Sequence, residues 1–99
     1  MTIYEHKTSL LIQSGSTATT TLRVIGGLLR SVYIKANTNT TVFRADLTDD
    51  DGNQRINYGF STGMINDNEI AYPLRNRYTL NITNASLDDI VTICLGVQE

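Results

Sequence analysis

The stretch Leu22-Arg23-Val24-Ile25-Gly26-Gly27-Leu28-Leu29-Arg30-Ser31-Val32-Tyr33-Ile34-Lys35-Ala36 decides how the chain is read. Apolar and polar residues alternate on both sides of a Gly-Gly pair, the pattern of two half-buried strands around a pivot. Glycine reaches positive φ without steric cost, so such a pair signals a hairpin. Register then decides which residues are core. A two-residue loop, Gly26-Gly27, would set Arg23 opposite Arg30, and like charges directly across a strand pair are destabilising. A three-residue loop, Ile25-Gly26-Gly27, pairs Val24 with Leu28, Leu22 with Arg30, Thr20 with Val32 and Ala18 with Ile34. A one-residue slip exchanges the faces, so this choice sends Val32 and Ile34 to the core and leaves Leu29, Tyr33 and Lys35 in an outward row. In the other arrangement the two strands lie in different sheets and the glycines only bridge them.

The same alternation runs outward in both directions. Residues 2 to 12 read as a first strand ending in Leu10-Leu11-Ile12, broken or bulged near His6-Lys7, and Gln13-Ser14-Gly15-Ser16 reads as a turn. Residues 41 to 48 place Phe43, Ala45 and Leu47 on one face and Arg44 and Asp46 on the other. Asp49-Asp50-Asp51-Gly52-Asn53 is a tight turn into residues 54 to 60, with Ile56, Tyr58 and Phe60 in phase, so an Asp-Gly pair supplies a second hairpin. A longer loop follows, from Ser61-Thr62-Gly63 through Asn66-Asp67-Asn68. A short strand carries Ile70, Tyr72 and Leu74, with Pro73 marking an edge or strand end. Residues 77 to 83 alternate through Tyr78, Leu80 and Ile82. Residues 90 to 97 carry Val91, Ile93, Leu95 and Val97 on one face, with Cys94 out of phase on the less buried one.

About eight strands at this spacing predict an all-β protein, an antiparallel two-sheet sandwich such as a jelly roll. The 99 residues make one domain. A chain of this size buries only about two thirds of its unfolded surface, and oligomerisation is a common remedy for the thin stability that results.

Composition narrows the function classes. The net charge is −2 and the eight basic residues are scattered. Without a basic stripe there is no nucleic-acid footprint. No apolar run is long enough for a membrane helix. The N-terminal residues do not form a secretory signal, and a lone cysteine, Cys94, cannot form an internal disulfide, which points to synthesis in a reducing cytoplasm.

Residues that carry chemistry elsewhere are present but not in working patterns. Aligning Gly52 with the glycine of an EF-hand loop puts Leu47 and Tyr58 where carboxylates are needed, so the acidic turn reads as a capped hairpin rather than a calcium loop. A Cys-His nucleophile needs both groups within hydrogen-bond reach, and nothing in the spacing brings His6 to Cys94. Four nitrogen or sulfur ligands for zinc are not available. Neither a nucleophile elbow nor a phosphate loop occurs. Adjacent Asp88 and Asp89 read as turn formers, and the Asn-x-Ser/Thr triplets at Asn39, Asn81 and Asn84 as products of a Thr- and Asn-rich composition. The reading is of a non-enzymatic protein with no metal and no cofactor.

The segments Gly26-Gly27-Leu28-Leu29-Arg30-Ser31-Val32-Tyr33-Ile34, Thr41-Val42-Phe43-Arg44-Ala45-Asp46-Leu47 and Tyr72-Pro73-Leu74-Arg75-Asn76-Arg77-Tyr78-Thr79-Leu80-Asn81-Ile82 resemble small β-sandwich virion proteins of tailed bacteriophages, of the capsid-decoration or cement type. Asn84-Ala85-Ser86-Leu87-Asp88-Asp89 fits the same style. The resemblance is one of pattern and composition over most of the chain. It implies a homo-oligomer, trimer or dimer, that is made in the host cytoplasm, ends in the virion and clamps the major capsid protein, with no catalytic residues. Leu29, Tyr33 and Lys35 are the candidate contact residues. The competing expectation is a carbohydrate- or receptor-binding module of a phage particle, using its tyrosines and the Asn66-Asp67-Asn68 loop.

Overall fold

A computed structural model describes residues 3–24, 27–74 and 76–98. Its described residues contain no helix and nine strands: β1 (Ile3–Ile12), β2 (Ala18–Val24), β3 (Leu28–Ala36), β4 (Val42–Asp49), β5 (Gln54–Thr62), β6 (Met64–Asp67), β7 (Tyr72–Pro73), β8 (Asn76–Thr83) and β9 (Asp89–Gln98). All pairings are antiparallel. One sheet runs β1-β9-β3-β6, with the two-residue β7 also on β3, and the other runs β2-β8-β4-β5.

The pairing is nested. The β4–β5 hairpin is innermost, β3 then meets β6, β2 meets β8, and β1 meets β9. Successive pairs fall alternately in one sheet and the other, which is a long hairpin wrapped around a core, the jelly roll. The β4–β5 turn is the Asp-Gly turn that the sequence predicts, with Gly52 at φ 81° and its N–H donating to the Asp49 carbonyl at 3.1 Å.

The opening hairpin is not formed. β2 pairs with β8 and β3 pairs with β9, so the two strands lie in different sheets, and the cross-strand pairs Val24–Leu28, Leu22–Arg30, Thr20–Val32 and Ala18–Ile34 do not exist. Ile25 and Gly26, in the expected turn, lie outside the described residues. The physical reason is the apolar supply. Side by side, β2 and β3 would share one apolar face; in separate sheets β3 instead lies beside the strictly alternating β9, and β2 lies beside β8. Thr20 then meets Leu80, while Val32 meets Leu95 and Ile34 meets Ile93.

One contiguous core fills the space between the sheets. Phe43, Ala45, Leu47, Leu80 and Ile82 come from one side, and Leu29, Val32, Ile34, Val91, Ile93 and Leu95 from the other. Full burial of a side chain of the Val, Leu, Ile or Phe class contributes roughly 1.5–3 kcal/mol each. At the end where β1 finishes, aspartates fasten the loops. Asp88 accepts from the Ser14 N–H at 2.8 Å, and Asp89 accepts from the Thr38 N–H at 3.0 Å and the Thr41 hydroxyl at 2.8 Å.

Three departures from the expected strands have local causes. β1 is unbroken, since Ile3 to Ile12 pair with β9 in constant register through His6 and Lys7. The expected loop at residues 61 to 68 contains β6, whose Ile65 is buried beside Ile34. Phe60 is 64% exposed rather than in phase with Ile56. A bulge slips the register between Ala45–Gly59 and Asp46–Asn57, so Phe60 turns to the outside.

Candidate functional site

The candidate row lies on β3, and the structure divides it. Lys35 is exposed and Tyr33 half-buried on the outer face of the first sheet, while Val32 and Ile34 are buried as the alternation requires. Leu29 is 0% exposed and belongs to the core. The cause is a bulge at Arg30: Leu29 stands opposite Val97 and Ser31 opposite Gly96, so Arg30 is the unpaired extra residue. A period-2 reading carried through it assigns Leu29 to the wrong face.

The register defines two rows across the outer face of the first sheet. One runs Lys7, Cys94, Tyr33, Asn66; the next runs Ser9, Thr92, Lys35, Met64. Above them Leu11 pairs with Ile90. These two are 63% and 44% exposed, which makes them an apolar cross-strand pair facing solvent. The pair is not among the candidates expected from the sequence, although alternation carries its signal: in a strand, one of the three consecutive apolar residues Leu10-Leu11-Ile12 has to point away from the other two.

The remaining sequence candidates are placed as follows. His6 stands opposite Leu95 and shares its face, whereas Cys94 stands opposite Lys7, so His6 and Cys94 point to opposite sides of one sheet and form no dyad. The Asp49 carboxylate is fully engaged by its own turn: Oδ1 accepts from the N–H groups of Asp51 at 3.0 Å and Asn53 at 2.9 Å, and Oδ2 pairs with Arg55 Nε at 2.8 Å. Desolvation works to raise its pKa, but the Asn53 N–H and Arg55 outweigh it and hold the carboxyl below its ordinary value. A cation at this turn would have to displace those donors. Among the described residues no group of three or more His, Cys, Asp or Glu side chains is placed to hold a metal ion.

The tyrosines do not form a common platform. Tyr78 is buried, and Tyr72 meets it edge to face, with ring centroids 6.3 Å apart and planes at 89°. Tyr58 is half-buried and donates its hydroxyl to Asp67 Oδ2 at 2.9 Å. Asp67 also accepts from the Glu69 N–H at 3.3 Å, so Asn66 and Asp67 belong to β6 with Asp67 as an anchor, and of the expected loop only Asn68 lies beyond the strand, exposed. Phe60 lies on the outer face of the second sheet, with the Arg44 guanidinium 5.3 Å from its ring centroid. Among the described residues the other exposed aromatic is Tyr4, near the start of the edge strand β1.

Among the described residues β1 has a strand, β9, on one side only, and so presents a ten-residue edge. The chain matches no protein-family model, and no curated protein matches it.

Proposed function

We propose that the chain is a non-enzymatic structural subunit of a tailed-phage virion, a cement or decoration protein that binds the major capsid protein and stabilises the assembled shell. The observation that carries this reading is how the acidic side chains are used. Asp46, Asp49, Asp67, Asp88 and Asp89 each accept hydrogen bonds from the chain's own strands and loops, so they serve rigidity rather than a cleft. The wrapped sandwich is a fold that recurs in viral capsid proteins and in lectins, and the choice between these is made by the sequence resemblance, an argument from analogy.

A subunit of this kind acts by mass action. It binds assembled shell and not free capsid protein, so its binding free energy adds to shell stability. The test has two parts. Washed virions are searched for the chain by mass spectrometry, and purified protein is sedimented with shells that lack it. Saturable binding that raises the temperature at which the shell opens supports the reading. Absence from virions together with no binding to shells overturns it, and binding to immobilised glycans instead would transfer the chain to the carbohydrate-binding class.

A further inference from the structure

We propose that β1 is a homodimerisation edge, on which a second copy of this chain adds its own β1 antiparallel about a two-fold axis at His6. The proposal stands whether or not the chain binds a capsid.

The four outermost strands of the two sheets are not equivalent. β6 has four residues, and β5 carries two register shifts against β4, features that blunt an edge. β2 has seven residues. β1 has ten, all in constant register with β9, so among the described residues its unpaired N–H and C=O groups form the longest regular edge template.

Self-pairing is restricted by the pleat. Residues on the outer face must meet residues on the outer face, because a slip of one residue exchanges the faces. The outward residues of β1 are Glu5, Lys7, Ser9 and Leu11, all exposed. Centring the axis on Lys7 sets Lys7 against its own copy, which is repulsive. Centring it on Thr8 sets Glu5 against Leu11. Centring it on Ser9 sets Lys7 against Leu11. Centring it on His6 sets Glu5 against Lys7, twice by symmetry, so each charge meets its opposite. The same register sets Tyr4 against Thr8 on the inner face. Tyr4 is 52% exposed although it stands opposite Val97, which is 5% exposed, and a second strand would cover it. Among registers with extensive overlap, this one satisfies both the charges and the exposed ring.

The experiment is sedimentation equilibrium of the full chain at pH 8, with folding checked by circular dichroism. The chain is 11.0 kDa, so a dimer has twice that mass. The dimer is expected to weaken at high salt, because both pairs are exposed. Glu5→Lys alone, or Lys7→Glu alone, turns both attractions into repulsions and raises the dissociation constant about tenfold or more. The double variant Glu5→Lys/Lys7→Glu reverses both charges together and restores the dimer. A monomeric wild-type chain at about 100 µM, well above typical specific dissociation constants, overturns the proposal. So does a dimer indifferent to the single changes, or a folded double variant that stays as weak as the singles.

Discussion

Tyr58 on β5 donates its hydroxyl to the carboxylate of Asp67 on β6 at 2.9 Å, and this bond ties the last strand of one sheet to the last strand of the other. No ladder of main-chain hydrogen bonds pairs β5 with β6, although the chain passes directly from one to the other through Gly63. Burial, and then the Asp67 carboxylate, push the Tyr58 phenol well above its ordinary value of 10.0. The fold therefore prefers the protonated phenol. Its contribution is fully present below about pH 10 and is lost as pH rises further, because the unfolded chain ionises there and the folded one resists. Tyr58→Phe is expected to cost about 1 to 2 kcal/mol near neutrality. It should also flatten the alkaline fall in stability, measured by urea melts from pH 8 to 11. An unchanged alkaline slope in the variant would count against the link.

Asp89 does the corresponding work at the loop end. Its partners include the hydroxyl of Thr41, which is 0% exposed, and the N–H of Thr38. Desolvation works to raise the Asp89 pKa, but the Thr41 hydroxyl and the Ile90 and Thr38 N–H groups outweigh it and hold it below the ordinary value. With a depressed folded pKa, the stabilisation is present above the unfolded value of about 3.9 and fades as pH falls through the folded one. Asp89→Ala leaves the buried Thr41 hydroxyl without this acceptor, at a cost of about 1–3 kcal/mol. Denaturant melts between pH 2 and 7 should show the loss at neutrality and a weaker acid dependence in the variant.

Much of the architecture was legible because the alternation of Phe43-Ala45-Leu47, Tyr78-Leu80-Ile82 and Val91-Ile93-Leu95-Val97 is strict, and all ten side chains are buried. What alternation cannot show is a residue that does not count. Arg30 is such a residue in β3, and a second bulge separates Ile56 from Phe60, so Leu29 and Phe60 are assigned to the wrong faces. The Gly-Gly pair gave a true break and a false pairing. Local turn chemistry cannot distinguish a hairpin from a crossing between sheets, because that choice is made by β8 and β9, more than forty residues further on. The edge strand was readable as a strand, but its edge position depends on those same distant partners.

The two phenylalanines provide a direct check on the second bulge. Phe43 is 0% exposed and Phe60 is 64% exposed, although the sequence places both on inward rows of adjacent strands. Phe43→Ala should cost about 3–5 kcal/mol through lost transfer energy and a residual cavity. Phe60→Ser should fall within about 0.5 kcal/mol of wild type, as substitutions on open surface do, since it loses little beyond its exposed contact with Arg44. Chemical denaturation of the two variants side by side measures both. A Phe60 variant as costly as the Phe43 variant would mean that residue 60 faces the core.

The crossing from β5 to β6 turns on Gly63, and its geometry makes the sharpest substitution test. Gly63 sits at φ 75°, its N–H donates to the Thr41 carbonyl at 2.8 Å, and its carbonyl accepts from the Ala36 N–H at 2.9 Å. The residue is thus clamped between the last residue of β3 and the last residue of the 37–41 loop. A Cβ here would lie 2.5 Å from the Asn39 carbonyl oxygen, which is backbone and cannot swing aside. Gly63→Ala therefore combines left-handed backbone strain with a steric clash, and about 2–3 kcal/mol or more is expected. Gly52→Ala separates the two contributions. Gly52 has a similar φ of 81° but nothing within 4 Å of the added Cβ, so only the strain of about 1–2 kcal/mol applies. Equal losses for the two variants in thermal or urea melts would show that the Asn39 carbonyl moves away. A markedly larger loss at Gly63 shows that this one residue holds the point where the chain passes from one sheet to the other.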